Sequence, residues 1–578
     1  MNMMQKTITS LLCLLFVTST FVYGQNREKL KNRSKRQLFY YDPIKKTKLE
    51  SQGYYYVDEL GETTERHDKW SFYNKKGELI EERNYHRNKL HGEVKTYYGA
   101  NRVKNIGYFE NGIQDSLYVA FHLSGDTSEV GYYHQGEPTG KWRYFYRDGH
   151  LKTVEEVIDS ISYIWSFYAA DSAHTQTVVD GNGEMAEYYT NGNLKSWYNY
   201  KDGLRHGKFE EASVHGYYLL KGSFLENQPD GKWEYFYYTG DLEKVSHYAK
   251  GKLHGNYRYY YDNGELSVAG QYEYGKKTGE WTWYTNSGVV DMKGNFKEDL
   301  QHGAWVYNYP SGKVSYRAKY KHGKKSGKWK YYYKNGKKFK VGHFDNDLKN
   351  GEWTTWYENG NTLMEGDYKN DLEEGLWKNY WENGQLKNQS TFTKGKLNGE
   401  WLSFYSNGIP LSKGNYDMGQ KSGEWTEYFK NGRKSDITNY KVVEQKSKTK
   451  YGPMKDRVNR VSIKHGDFVS FSQKDFSKTQ EGKYKNGEKH GTWTTYHKGG
   501  LLPAVIANYK KGELHGKMKT FEFRGNQIIS EVNYKNGRKD GKAKVFDKDG
   551  KVVKEMTYEN GVQIIEGTKS GSSFAPGR

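Results

Sequence analysis

Histidine stands directly before a glycine at His91, His206, His254, His302, His465, His490 and His515. Evenly spaced imidazoles suggest a ladder of metal sites, because zinc takes several ligands at about 2 Å from one ion. The equivalent position elsewhere holds Asp230, Thr278, Ser326 and Asn350. A position that accepts those residues asks for a turn former and not a ligand. If equivalent residues lie two strands apart, about 9.5 Å separates them, too far for one ion.

The other reactive groups do not assemble either. Glu155, Glu156 and Asp159 precede Trp165, and Asp171 and His174 follow it. Acid–base catalysis needs paired carboxylates at a fixed separation with one raised pKa, and nothing in this spacing imposes that. They read as an irregular loop. Glycine is periodic rather than clustered, so no phosphate cradle forms. No G-x-S-x-G elbow occurs, and Cys13 is the only cysteine. The expectation is no enzyme: no catalytic residue, no metal and no cofactor.

Aromatic rings remain. Trp233, Trp281, Trp305, Trp329, Trp353, Trp377, Trp401 and Trp425 hold one position of a repeat, and Trp70, Trp142 and Trp493 hold it in outlying copies. Such regular use reads as a buried stripe joining the repeats. A second column carries Tyr260, Tyr284, Tyr332, Trp356, Tyr380, Phe404 and Tyr428. Alternation puts it on the opposite face, so these seven are the candidate interaction surface.

The elements that position both columns follow from a 24-residue period. Glycine recurs at 183, 207, 231, 255, 279, 303, 327, 351, 375, 399 and 423. A fixed period of this size means a stacked array. Within one repeat, Trp329, Tyr331 and Tyr333 alternate with Lys330 and Tyr332, the period-two pattern of a strand. Asn-Gly follows at Asn263-Gly264, Asn335-Gly336, Asn359-Gly360 and Asn383-Gly384, and predicts a type I′ hairpin turn. A second strand then carries Tyr320, Phe344, Tyr368, Phe392 or Tyr416. Each repeat is thus two strands, and hairpins must pair edge to edge to be stable.

Bulk properties agree. Apolar residues are 35% of the chain, aromatics 16%, with 55 tyrosines. A thin layer held by rings fits this better than a globular core. Residues 1–24 read as a secretory signal, with Lys6 before the apolar run Leu11 to Val17. No later stretch reaches the ~20 apolar residues of a membrane helix. The net charge is +20, concentrated in Arg27 to Lys48, Lys321 to Lys340 and Lys441 to Lys464. In an exported chain such tracts suit an acidic partner or envelope surface, not nucleic acid. Lysine on the faces and edges of a sheet also blocks aggregation.

The unit G-x-W…Y-x-N-G-x…Y-x-x-G-x-x-x-G resembles the MORN repeat in its variant form, found in exported bacterial proteins and in proteins labelled antitoxin components. The resemblance covers about residues 68–567. It implies an elongated, twisted antiparallel sheet of successive hairpins used for binding and scaffolding, with some relatives linked to membrane lipids or self-association.

The expected fold is all-β, a repeat array of about twenty antiparallel hairpins forming one twisted, curved sheet. Its expected divisions are a signal peptide at 1–24 and a basic segment or cap at 25–67. Repeats fill 68–567, with irregular excursions near 150–182 and 437–465, and a disordered tail takes 568–578. The expected function is an exported scaffold, periplasmic or at the cell surface, that docks an unidentified protein. The alternatives are a binder of envelope glycan or lipid headgroups and a toxin-neutralising partner.

Overall fold

Alternating rings and paired turns produce strands throughout the computed structural model, which describes residues 32–446, 458–524 and 526–565. Among the described residues there are 46 strands and no helix. Strands adjacent in sequence pair antiparallel, as in Gly327–Tyr332 with Lys338–Asp345, and a short strand such as Lys324–Lys325 shares its partner with the strand that follows it. The chain divides into two compact units, one up to Lys277 and one from Thr278 onward, each an open hairpin array.

The two turns of a repeat differ. At Asn335-Gly336 the Gly336 N–H donates to Tyr333 O at 2.8 Å, and the Tyr333 N–H to Lys337 O at 2.8 Å. Only Gly336 has positive φ there, at 90°. This is a three-residue loop, a type I turn closed by a left-handed glycine, and not the expected type I′. Asn335 stays right-handed because its side-chain oxygen accepts the Lys337 N–H at 2.9 Å. The type I′ geometry lies at the other turn, where His322 and Gly323 have φ of 50° and 78° and Lys321 pairs with Lys324.

Three boundaries depart from expectation. Strands begin at Gln37–Tyr40 and Leu49–Asp58, inside the segment expected to be a basic cap. Tyr54, Tyr55 and Tyr56 supply the rings that a strand needs even without the 24-residue period. The stretch near 150–182 is not an irregular excursion. It holds Leu151–Ile158, Ile161–Tyr168 and Gln176–Val179, joined by the two-residue turn 159–160 and the loop 169–175. Residues 437–446 and 458–465 are likewise extended arms of a long hairpin, Lys434–Lys446 against Val458–Phe471, in register to Lys446–Val458. Val442, Val443 and Val461 supply β-branched residues there, with Val443 paired to Val461, and override the lysines. Residues 447–457, the signal segment and the tail at 568–578 lie outside the described residues.

The core is a single file of rings. Trp305 and Trp329 are 1% and 3% exposed. Tyr320 stands edge-on between them, at 6.0 Å and 5.3 Å, and Phe344 between Trp329 and Trp353, at 5.1 Å and 5.2 Å. Edge-to-face contact suits the ring quadrupoles. In the regular repeats each indole lies flat on a small residue eleven positions earlier. A Cβ at Gly342 would fall 2.1 Å from Trp353, and one at Gly366 2.2 Å from Trp377. Ala318 fills that place beneath Trp329. The indole N–H then donates to the second strand, Trp329 to Lys319 O at 3.2 Å and Trp353 to His343 O at 3.2 Å.

Candidate binding surface

All seven residues of the second column take the same place, the last residue of the first strand in a repeat: Tyr260, Tyr284, Tyr332, Trp356, Tyr380, Phe404 and Tyr428. Each is half-buried, whereas the tryptophan at 329, 353, 377 or 425 is buried. Their backbone carbonyls are spent on the array. The Tyr309 hydroxyl donates to Tyr332 O at 2.7 Å, Tyr333 to Trp356 O at 2.7 Å and Tyr357 to Tyr380 O at 3.0 Å. The Trp381 indole donates to Phe404 O at 3.1 Å, and Tyr405 to Tyr428 O at 2.9 Å. A turn ring thus staples each repeat to the next and holds the column rigid.

The surroundings of the column are charged. Lys293 pairs with Glu280 at 2.7 Å and Lys413 with Glu400 at 3.2 Å, both exposed. Exposed pairs of this kind add little stability. Glu365 accepts from the Tyr380 hydroxyl at 2.7 Å. Burial and that carboxylate push the phenol up to about 12. Tyr496 and Glu481 repeat the arrangement farther along, with the Tyr496 phenol also at about 12 through burial and its carboxylate partner. In the unit from Thr278 onward one face therefore carries separate ring patches, one per repeat and about 9.5 Å apart, in a lattice of lysine and glutamate.

Lysine behaves differently on the tryptophan face. Lys349 lies 5.3 Å and 4.5 Å from the ring centres of Trp353 and Tyr368, and Lys421 lies 3.9 Å from that of Trp425. Lys489 sits 4.1 Å from Trp493, and burial lowers its ammonium. Much of the basic excess thus covers rings as cation–π contacts.

Three of the periodic histidines, His254, His465 and His515, accept a turn N–H. His254 Nδ1 accepts the Tyr274 N–H at 3.4 Å and His465 Nδ1 the Asn486 N–H at 3.3 Å. Asn398 and Glu374 do the same for Met418 and Lys394, at 3.3 Å and 2.9 Å. A different group was missed. Asp148, His150 and His174 present ligand-type atoms within 4.8 Å of one another. Asp148-Gly149-His150 is visible in sequence, but His174 is 24 residues on and joins only through the fold. Among the described residues no helix is long and apolar enough to cross a membrane.

The family model for the MORN repeat variant matches residues 182–202, 253–274, 277–298, 301–322, 325–346, 349–370, 373–394, 397–418 and 539–560. No curated protein matches the chain. Solved structures with similarity include those of TcdB2-TccC3-TEV, at 10% identity and TM-score 0.13, and TcdB2-TccC3-Cdc42, at 12% and 0.11. Each match covers 90% of this chain but 30% of the other, so the chain spans under a third of their length. Overlap that slight carries no weight for fold or function. The nine family matches, together with the hairpin arrays, make the chain a MORN-variant repeat protein.

Proposed function

We propose that this MORN-variant repeat protein is an exported, non-enzymatic scaffold that docks another protein on the face opposite its tryptophan file. The observation that supports this is the column ending at Tyr332, Trp356, Tyr380, Phe404 and Tyr428. These rings recur once per repeat and are left half-exposed, while Trp329, Trp353, Trp377 and Trp425 of the same strands are buried and Trp401 is partly so. Rigid aromatic patches in a mixed-charge surround match the makeup of protein interfaces, where ring anchors sit within a polar rim. Stapled carbonyls pre-organise the patches, so little ordering entropy is lost on docking. The lysine–glutamate lattice offers both signs and suits a protein better than a uniformly acidic glycan or lipid surface.

Crosslinking in intact cells followed by affinity capture tests this. The triple variant Tyr332→Ser, Trp356→Ser, Tyr380→Ser should lose the protein captured by the native chain while keeping its strand spectrum. Unchanged capture by the folded variant rejects the surface. Capture that collapses with salt and is replaced by envelope polysaccharide would favour the glycan alternative.

A further inference from the structure

The 24-residue step fails between Gly140 and Gly183, and there side chains of one turn and the following loop meet. In a regular repeat the asparagine of the first turn reaches the next turn. Asn359 Nδ2 donates to Glu382 O at 2.9 Å and Asn383 Nδ2 to Ser406 O at 2.7 Å. Position 148 holds aspartate, which when ionised has no hydrogen to donate. The neighbouring loop has changed to match. Residues 169–175 form a longer connection closed by Ala169 N–H to Thr175 O at 2.8 Å. Asp171 shapes its tip, accepting from the Thr175 N–H at 2.9 Å and the Thr175 hydroxyl at 2.8 Å. His174 takes a left-handed φ of 46° there, and its Nε2 lies 3.3 Å from Asp148 Oδ2. His150, on the turn itself, places Nδ1 3.3 Å from Asp148 Oδ1. The two imidazoles stack, centroids 4.0 Å apart and planes 16° apart.

We propose that Asp148, His150 and His174 bind a divalent transition-metal ion, with zinc the best fit to the donors. Two imidazole nitrogens and one carboxylate oxygen are a borderline set of the kind zinc takes with a fourth position open. Ligands held tetrahedrally at about 2.0–2.1 Å from zinc stand about 3.3–3.4 Å apart. Each imidazole nitrogen already stands at that value from one Asp148 oxygen, His150 Nδ1 from Oδ1 and His174 Nε2 from Oδ2, and one ligand atom from each of the three residues lies within 4.8 Å of the others. Small rotations of His150 and the Asp148 carboxylate, whose side chains are 60% and 53% exposed, bring the three onto one ion. Stacked imidazoles cannot both be protonated without repulsion, and one metal ion supplies the positive charge with a single centre. The turn and loop are held beside each other without it, because the Tyr146 hydroxyl donates to Tyr168 O at 2.7 Å. Binding then clamps the loop against the turn.

The test uses the full chain and Zn²⁺ alone, by equilibrium dialysis with metal analysis and by calorimetry. One tight equivalent is expected, with tetrahedral absorption bands when Co²⁺ replaces it. His150→Gln and His174→Ala should each weaken that equivalent at least tenfold, while His302→Ala, a histidine of the periodic column, leaves it intact. His150→Gln alters an exposed side chain, so loss of the site there does not reflect misfolding. A native chain that binds no more Zn²⁺ than the His150→Gln, His174→Ala double variant overturns the proposal. So does retention of the tight equivalent in either single variant.

Discussion

Residues 303–375 and residues 140–183 use the same parts to different ends. In the first stretch every repeat is alike. An indole lies over a small residue, a ring from the second strand stands against it, and a turn tyrosine staples the next carbonyl. In the second, Tyr146 keeps the staple and Trp142 keeps its place on Gly131, but the following strands and loop leave the period. Strict repetition surrounds each residue with copies of its own environment and keeps equivalent side chains about two strands apart. That builds stability and an even surface, and it forbids a ligand cluster. Only a break in the period brings unlike residues together, as at Asp148, His150 and His174.

The largest expected effect probes the regular stretch. Trp329→Ala should cost about 3–5 kcal/mol, as for other buried large aromatics. Because the array is held by neighbour contacts, hydrogen exchange should show fraying over 303–375 and not global unfolding. Tyr332→Ala, on the half-exposed column, should loosen the same region far less. Equal loosening would show the two faces to be wrongly assigned.

Next is the glycine beneath the indole. Gly342→Ala sets a methyl 2.1 Å from Trp353 and should cost about 1–3 kcal/mol through overpacking, read as a lowered midpoint in urea. A neutral outcome would mean that the indole can lift at no cost.

A smaller effect tests whether the broken stretch is held as firmly as the regular one. Tyr333→Phe and Tyr146→Phe each remove a hydroxyl that donates at 2.7 Å to the next repeat. Each should cost about 0.5–1.5 kcal/mol, with matching local exchange. If only Tyr333→Phe has an effect, the staple at 146 does not bear on stability.

The smallest concerns alkali. The Tyr380 and Tyr496 phenols titrate near 12, raised first by burial and then by Glu365 and Glu481. Their folded values exceed the ordinary value near 10, so their stabilisation is whole below about pH 10 and is lost as pH rises through 12. Absorbance at the phenolate band should rise late for these rings, together with loss of strand signal. Glu365→Gln should bring the Tyr380 transition earlier, and no change would break the link.

Much of this was open to reading from residues alone. Periodic glycine, alternating rings and Asn-Gly turns determined an all-β hairpin array, because a strand's period and a turn's left-handed residue are local demands of the backbone. The constancy of tryptophan marked the buried column for the same reason. The tyrosine hydroxyl 23 residues before the carbonyl it meets, and the small residue eleven before each indole of the regular repeats, were also written at fixed spacing, yet they gain meaning only once strands are in register. The turn type needed the structure, since Asn335 can satisfy its own loop through its side chain or adopt a left-handed backbone. So did the arms at 434–446 and 458–471, where pairing across a long hairpin outweighs the charge of the lysines. Asp148 and His174 become neighbours through the stacking of one turn on the next, a long-range contact that no single repeat encodes.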